Sequence, residues 1–78
     1  MSPYFAVRSA RKEGRDVVVL RCRENPPGCI VECDVYPATN GHSERLSCGP
    51  YAFASRYDAE SFVDEALRAL ASLGCQVA

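Results

Sequence analysis

The 78-residue chain predicts an α+β fold in which a four-stranded antiparallel meander, in the order 1-2-3-4, carries one C-terminal α-helix on one face (ββββα). Three observations predict it. Between Asp58 and Leu73 the apolar residues Ala59, Phe62, Val63, Ala66, Leu67, Leu70 and Leu73 recur at steps of three and four, the spacing that gathers side chains on one side of a helix. Upstream, apolar residues recur at steps of two, the period of a half-buried strand. Between those runs stand clusters of Gly, Pro and Asn that break a ladder and turn the chain.

Tyr4 to Ser9 reads as the first strand, with Phe5, Val7 and Ser9 on one face and Tyr4, Ala6 and Arg8 on the other. Polar Arg11 to Asp16 follows as a hairpin turn, since Gly14 supplies the positive φ that a two-residue loop requires. Val17 to Glu24 is a second strand, β-branched at its start, and Asn25-Pro26-Pro27-Gly28 cannot continue a ladder. Cys29 to Tyr36 alternates cleanly and forms the third strand. Ala38 to His42 contains Asn40-Gly41, a strong hairpin signal, and leads to a fourth strand from about Glu44. Gly49-Pro50 interrupts that strand, and Tyr51 to Ala54 resumes it after a bulge, so the facing of these last residues stays open.

The registers agree with one another. A loop that pairs Glu24 with Cys29 sets Cys22 opposite Val31, Leu20 opposite Cys33, Arg21 opposite Glu32 and Val18 opposite Val35. A two-residue loop at Asn40-Gly41 then sets Val35 opposite Leu46 and Cys33 opposite Cys48. The helix is expected on the face of Phe5, Val7, Val18, Leu20, Val31, Val35 and Leu46. Its start has two readings: Asp58 as N-cap with Tyr57 stapled on Phe62, or Ser55 as the cap of a Ser55–Asp58 capping box. Gly74 closes its far end, bringing Leu70 and Cys75 together.

Length and composition predict a single small domain over residues 1–78. With 47% hydrophobic residues and a net charge of −1, the chain has the composition of a folded protein and not of a disordered tail. No apolar run reaches membrane length and the N-terminus lacks the pattern of a signal peptide, so no membrane association and a cytoplasmic location are expected. The charge is uneven, with a net +4 over residues 1–23 and −5 over residues 24–78. The five cysteines, Cys22, Cys29, Cys33, Cys48 and Cys75, include no C-x-x-C pair. Reduced, structural thiols are expected, with no metal and no cofactor, although Cys33 and Cys48 become cross-strand neighbours. The single His42 falls in a turn with no second histidine to build a site.

The face opposite the helix is the better place to look for function. It is expected to display Tyr4, Ala6, Arg8, Ala10, Val17, Val19, Arg21, Arg23, Ile30, Glu32, Asp34, Tyr36, Arg45 and Ser47. A mixture of Val, Ile, Tyr and Arg on a sheet uncovered on one side is the composition of an interface. The competing reading is an ordinary solvated sheet, with Arg21–Glu32 and Arg45–Tyr36 as cross-strand pairs. The leading expectation is a non-catalytic domain that forms a homodimer or binds a protein partner through this face or an edge strand, using Tyr4, Arg8, Val17, Val19, Arg21, Arg23, Ile30, Tyr36 and Arg45. It predicts that Val19→Glu or Ile30→Glu weakens association without unfolding. An enzyme ranks last, because no nucleophile motif, glycine-rich phosphate loop or cleft-forming carboxylate pair is present.

The order of elements across residues 4–74, four strands and then a helix, resembles the unit of PUR-repeat and Whirly-type domains, though no sequence motif of either family carries the likeness. The resemblance implies binding of single-stranded nucleic acid on the sheet surface. Arg8, Arg21, Arg23 and Arg45 would then contact phosphates, and Tyr4 and Tyr36 would stack on bases. Glu32 and Asp34 in the middle of that face oppose a polyanion, so this reading ranks second.

Overall fold

A computed structural model describes residues 3–37 and 45–78. The expected turn at Ala38 to His42 and the strand start at Glu44 lie outside the described residues. The elements are β1 (Tyr4–Lys12), β2 (Arg15–Asn25), β3 (Gly28–Val35), β4 (Leu46–Phe53), α1 (Arg56–Ser72) and β5 (Gln76–Val77). All neighbouring strands are antiparallel. The sheet has five strands in the order β4-β3-β2-β1-β5, not four. After the helix the chain adds a short strand to the far side of β1, pairing Val77 with Ala10 and Gln76 with Arg11. Two residues are too few to show a period, which is why the pattern of the sequence does not reveal β5.

The β2–β3 hairpin has the expected register throughout, from Val18 opposite Val35 to Asn25 opposite Gly28. Val35 faces Leu46 and Cys33 faces Cys48, also as expected, and the ladder then shifts so that Val31 faces Tyr51 and Cys29 faces Phe53. The extra residue sits at Gly49-Pro50, where proline offers no N–H to a ladder. The β1–β2 turn places Glu13 at φ 54° and Gly14 at φ 79°, the two positive values of a type I′ loop, whose twist suits a hairpin.

β1 itself departs from the expected phase. Its register with β2 shifts between Tyr4 and Ala6, and again between Ala10 and Arg11. Phe5 is therefore extra on β1 and Val17 extra on β2. Each bulge offsets the alternation by one residue, so residues 6–10 are turned over relative to an uninterrupted strand. Ala6, Arg8 and Ala10 lie on the helix-bearing side opposite Cys22, Leu20 and Val18, and Val7 and Ser9 lie on the other side. Ala10 is completely buried and Val7 is 55% exposed. The placement of Val7 in the core, and of Ala6, Arg8 and Ala10 on the open face, is thereby corrected.

The helix begins at Arg56 with Ser55 as N-cap, its side chain accepting from the Asp58 N–H at 3.1 Å. This decides between the two expected starts. Tyr57 is 77% exposed and does not staple the helix; Phe62 packs instead against the rings of Tyr51 and Phe53, at centroid distances of 5.4 and 5.1 Å. The Arg56 guanidinium stands 4.0 Å over the Phe5 ring. At the other end Cys75 N–H donates to Leu70 O and Gly74 N–H to Ala71 O, with Gly74 at φ 96°, which is the Schellman closure. Leu73 becomes the C-cap and is exposed, not part of the buried face.

Ala59, Val63 and Leu67 press on Leu20, Cys22, Cys29 and Val31 to form the core. Burial of each large side chain there contributes roughly 1.5–3 kcal/mol before ordering costs. A helix of 17 residues is about 25 Å long, whereas the molecule extends 41 Å along its main axis. Leu46, expected in the core, is 55% exposed: it stands at the start of the outer strand β4, whereas the helix presses on residues of β2 and β3. No helix among the described residues is long and apolar enough to cross a membrane.

Candidate functional site: the open sheet face and the β1 edge

The regular β2–β3 ladder places Arg21 and Arg23 on the open face beside Glu32 and Asp34. Sheet twist shortens one diagonal between neighbouring strands, and the side chains pair along it instead of straight across. Arg21 donates from Nη1 to Asp34 Oδ2, and Arg23 from Nε to Glu32 Oε2 at 3.3 Å. Ser47 Oγ donates to Asp34 Oδ1 at 2.9 Å, and Arg45 Nε approaches the same oxygen at 3.9 Å. Tyr4 donates its hydroxyl to Glu32 Oε1 at 2.7 Å. Asp34 is 7% exposed. Its carboxylate is affordable in such a place only because charged and polar donors surround it.

Those donors also set the protonation of the site. The hydrogen bond from Arg21, then that from Ser47, holds Asp34 below the usual carboxylate range against the opposing effect of burial. The hydrogen bond from Tyr4, followed by that from Arg23, does the same for Glu32. In return Glu32 holds the proton on Tyr4 and raises its pKa, and Asp34 raises that of Arg21. A general base near neutral pH needs a carboxylate shifted upward. These are shifted downward, and they serve to neutralise arginines. No buried side-chain nitrogen or oxygen among the described residues lacks a hydrogen-bond partner.

Of the nine residues expected to form the site, Tyr4, Val17, Val19, Arg21, Arg23, Ile30, Tyr36 and Arg45 belong to the open face or its margin. Arg8 does not. The Phe5 bulge turns it to the helix side, where its Nε donates to Ala78 O at 2.7 Å and its Nη1 reaches Asp64 at 3.5 Å. Val19 and Ile30 are 8% and 6% exposed, so neighbouring side chains already cover them within one chain. Val19→Glu and Ile30→Glu would consequently disturb folding and cannot serve as clean tests of association.

Two residues of the region escape the reading of the sequence. Val7 comes to the open face through the bulge, and Arg15, placed in the hairpin turn by its polar neighbours, donates to Tyr36 O and Pro37 O at 3.3 and 3.1 Å. With Asp16, Val19, Arg21 and Tyr36 they line a shallow depression of ≈ 560 Å³. A signal for Val7 does exist in the small residues Ala6 and Ala10, which suit the crowded side of a strand under a helix better than the exposed one.

Among the described residues the neighbouring edge is paired over only part of its length. Ser9 exchanges backbone hydrogen bonds with Ala78, at 2.9 and 3.4 Å. Since backbone groups alternate in direction along a strand, the N–H and C=O of Val7 point to the same edge, and no strand pairs with them there among the described residues. No group of His, Cys, Asp or Glu among the described residues is arranged to hold a metal ion. No family model, no curated protein and no solved structure matches this chain. The additional strand after the helix also departs from the four-strand-and-helix order on which the PUR-repeat and Whirly-type resemblance rests.

Proposed function

We propose that this is a non-catalytic domain that binds a protein, in the first instance a second copy of itself, through the Val7 end of the open face and the unpaired stretch of the β1 edge. The observation that carries this reading is Val7. It is a β-branched residue 55% exposed, beside an apolar-floored depression, on a strand whose outward backbone groups find no strand beyond Ser9 among the described residues. An incoming strand would satisfy those groups and cover Val7 together, the combination used in β-strand addition. The remainder of the open face, with its arginines and carboxylates already paired, acts as the polar rim.

Light scattering over the micromolar range tests it. The expected result is a mass above that of one chain, returning to the single-chain mass in Val7→Asp with circular dichroism unchanged. A single-chain mass at every accessible concentration would sink self-association. One observation favours single-stranded nucleic acid as a second reading: Arg15 makes no ion pair among the described residues, and it lies beside Tyr36 in the same depression. Titration of a labelled single-stranded oligonucleotide at low salt separates the two, because phosphate binding weakens steeply as salt rises. No binding is expected, since Glu32 and Asp34 neutralise Arg21, Arg23 and Arg45.

A further inference from the structure

We propose that Cys33 and Cys48 are a thiol–disulfide exchange site, oxidised to a reversible intramolecular disulfide by a small-molecule disulfide, which clamps the edge strand β4 to β3. The proposal does not depend on the protein-binding reading above. Four cysteines project to the helix-bearing side of the sheet, and they fall into two pairs with different geometry. Cys33 and Cys48 face each other directly in the β3–β4 ladder. Directly opposite residues have Cα atoms about 4.5–5.5 Å apart, inside the range of about 4.4–6.8 Å that a disulfide spans. Cys22 and Cys29 face Val31 and Glu24 respectively, so they are diagonal neighbours, at about 7–8 Å, beyond that range.

Access separates the pairs in the same sense. Cys22 and Cys29 are 1% and 4% exposed beneath the helix. Cys33 and Cys48 are only half-buried, and β4 is the outer strand of the sheet, so a reagent reaches Cys48 from the edge. Burial pushes the Cys33 thiol up, with Cys48 and Asp34 adding to the effect. Exchange starts on Cys48 because it lies on the outer strand, and Cys33 acts as the resolving thiol. The Cys48 thiolate attacks one sulfur of the reagent, whose S–S bond breaks and whose other half departs as a thiolate. Cys33 then loses its proton and its sulfur attacks Cys48, releasing the second half of the reagent. The two protein thiols are oxidised by two electrons, the reagent is reduced to two thiols, and the two protein protons end on them. The new bond ties the ladder one step before the Gly49-Pro50 shift and closes residues 33–48 into a loop, which restricts the unfolded chain.

The test equilibrates the folded protein with mixtures of oxidised and reduced glutathione and reads intact mass, reactive-thiol count and a non-reducing peptide map. The expected result is loss of two hydrogens with no glutathione retained, a thiol count lower by two than the five of the chain, and one cross-linked peptide joining Cys33 to Cys48. The melting temperature should rise on oxidation and return on reduction. In Cys33→Ser, which removes the resolving thiol, Cys48 should instead retain glutathione as a mixed disulfide. Persistence of a mixed disulfide on Cys48 in the unaltered protein, a cross-link between another pair, or five free thiols in the most oxidising mixture would each overturn the proposal. The measurements on the unaltered chain stand even if a variant fails to fold.

Discussion

The two flanks of β2 are built differently. Toward β3 the ladder runs from Val18–Val35 to Asn25–Gly28 without a shift; toward β1 it is offset twice within the length of one strand. An unbroken ladder keeps both of its faces in step. One side stacks Leu20 and Cys22 against the helix, and the other lines up Arg21 and Arg23 with two carboxylates. The bulged ladder turns a five-residue stretch over, burying Ala10 and exposing Val7. The regular flank thus supplies stability, and the irregular flank supplies an unfinished surface.

The sharpest test of that division is on the regular flank. Leu20 is 2% exposed in the middle of the core, and Leu20→Ala should cost about 2–5 kcal/mol through lost transfer energy and the cavity left behind. For a small domain with a total stability of roughly 5–10 kcal/mol, that brings the chain close to unfolding at room temperature. Urea denaturation measures it, and a loss under about 1 kcal/mol would mean that the helix does not press on this side of β2.

The open side of the same ladder should show a smaller effect with a characteristic pH dependence. Asp34 accepts from Arg21 and Ser47, and Asp34→Ala should cost about 1.5–3 kcal/mol at neutral pH, the range for hydrogen bonds to charged groups. Asp34 and Glu32 have folded-state pKa values below their ordinary ones, so the unfolded chain binds protons first as pH falls. Their contribution is complete above the unfolded carboxylate values of about 4, and it fades as pH drops through the lower folded values. Glu32, the more exposed of the two, contributes less because solvent screens it. Thermal melts from pH 6 down to pH 2 should fall less steeply for Asp34→Asn than for the unaltered chain. Identical slopes would show that the network carries no linkage.

The same contrast explains what was legible in the amino-acid pattern. From Val18 to Leu46 alternation and loop length agree, and one residue of slippage would have turned Leu20 and Val31 to water; the register could therefore be read residue by residue, including Cys33 opposite Cys48. The helix was legible for a similar reason, since Ala59, Val63 and Leu67 repeat every four residues. In β1 the sequence from Tyr4 to Ala10 fits either phase. A bulge at Phe5 is marked only by the small residues Ala6 and Ala10, because both faces of the strand carry apolar residues, and plain alternation puts Val7 and Arg8 on the wrong side. The diagonal pairing of Arg21 with Asp34 was hidden as well, because register names opposite residues and twist decides which diagonal closes.

The smallest expected effect addresses that ambiguity directly. Val7→Thr keeps the side-chain shape and the β-branched preference of a strand, and it adds only a hydroxyl. On an exposed position the change should lie within about 0.5 kcal/mol, whereas a hydroxyl brought without a partner into a core would cost about 1–3 kcal/mol. Urea denaturation must be run at protein concentrations where light scattering gives the single-chain mass, since association would otherwise add to apparent stability by mass action. A near-zero change places Val7 in solvent and supports both bulges. A loss above about 1 kcal/mol would return Val7 to the helix side, and it would remove the one exposed β-branched residue on which binding at the β1 edge is argued.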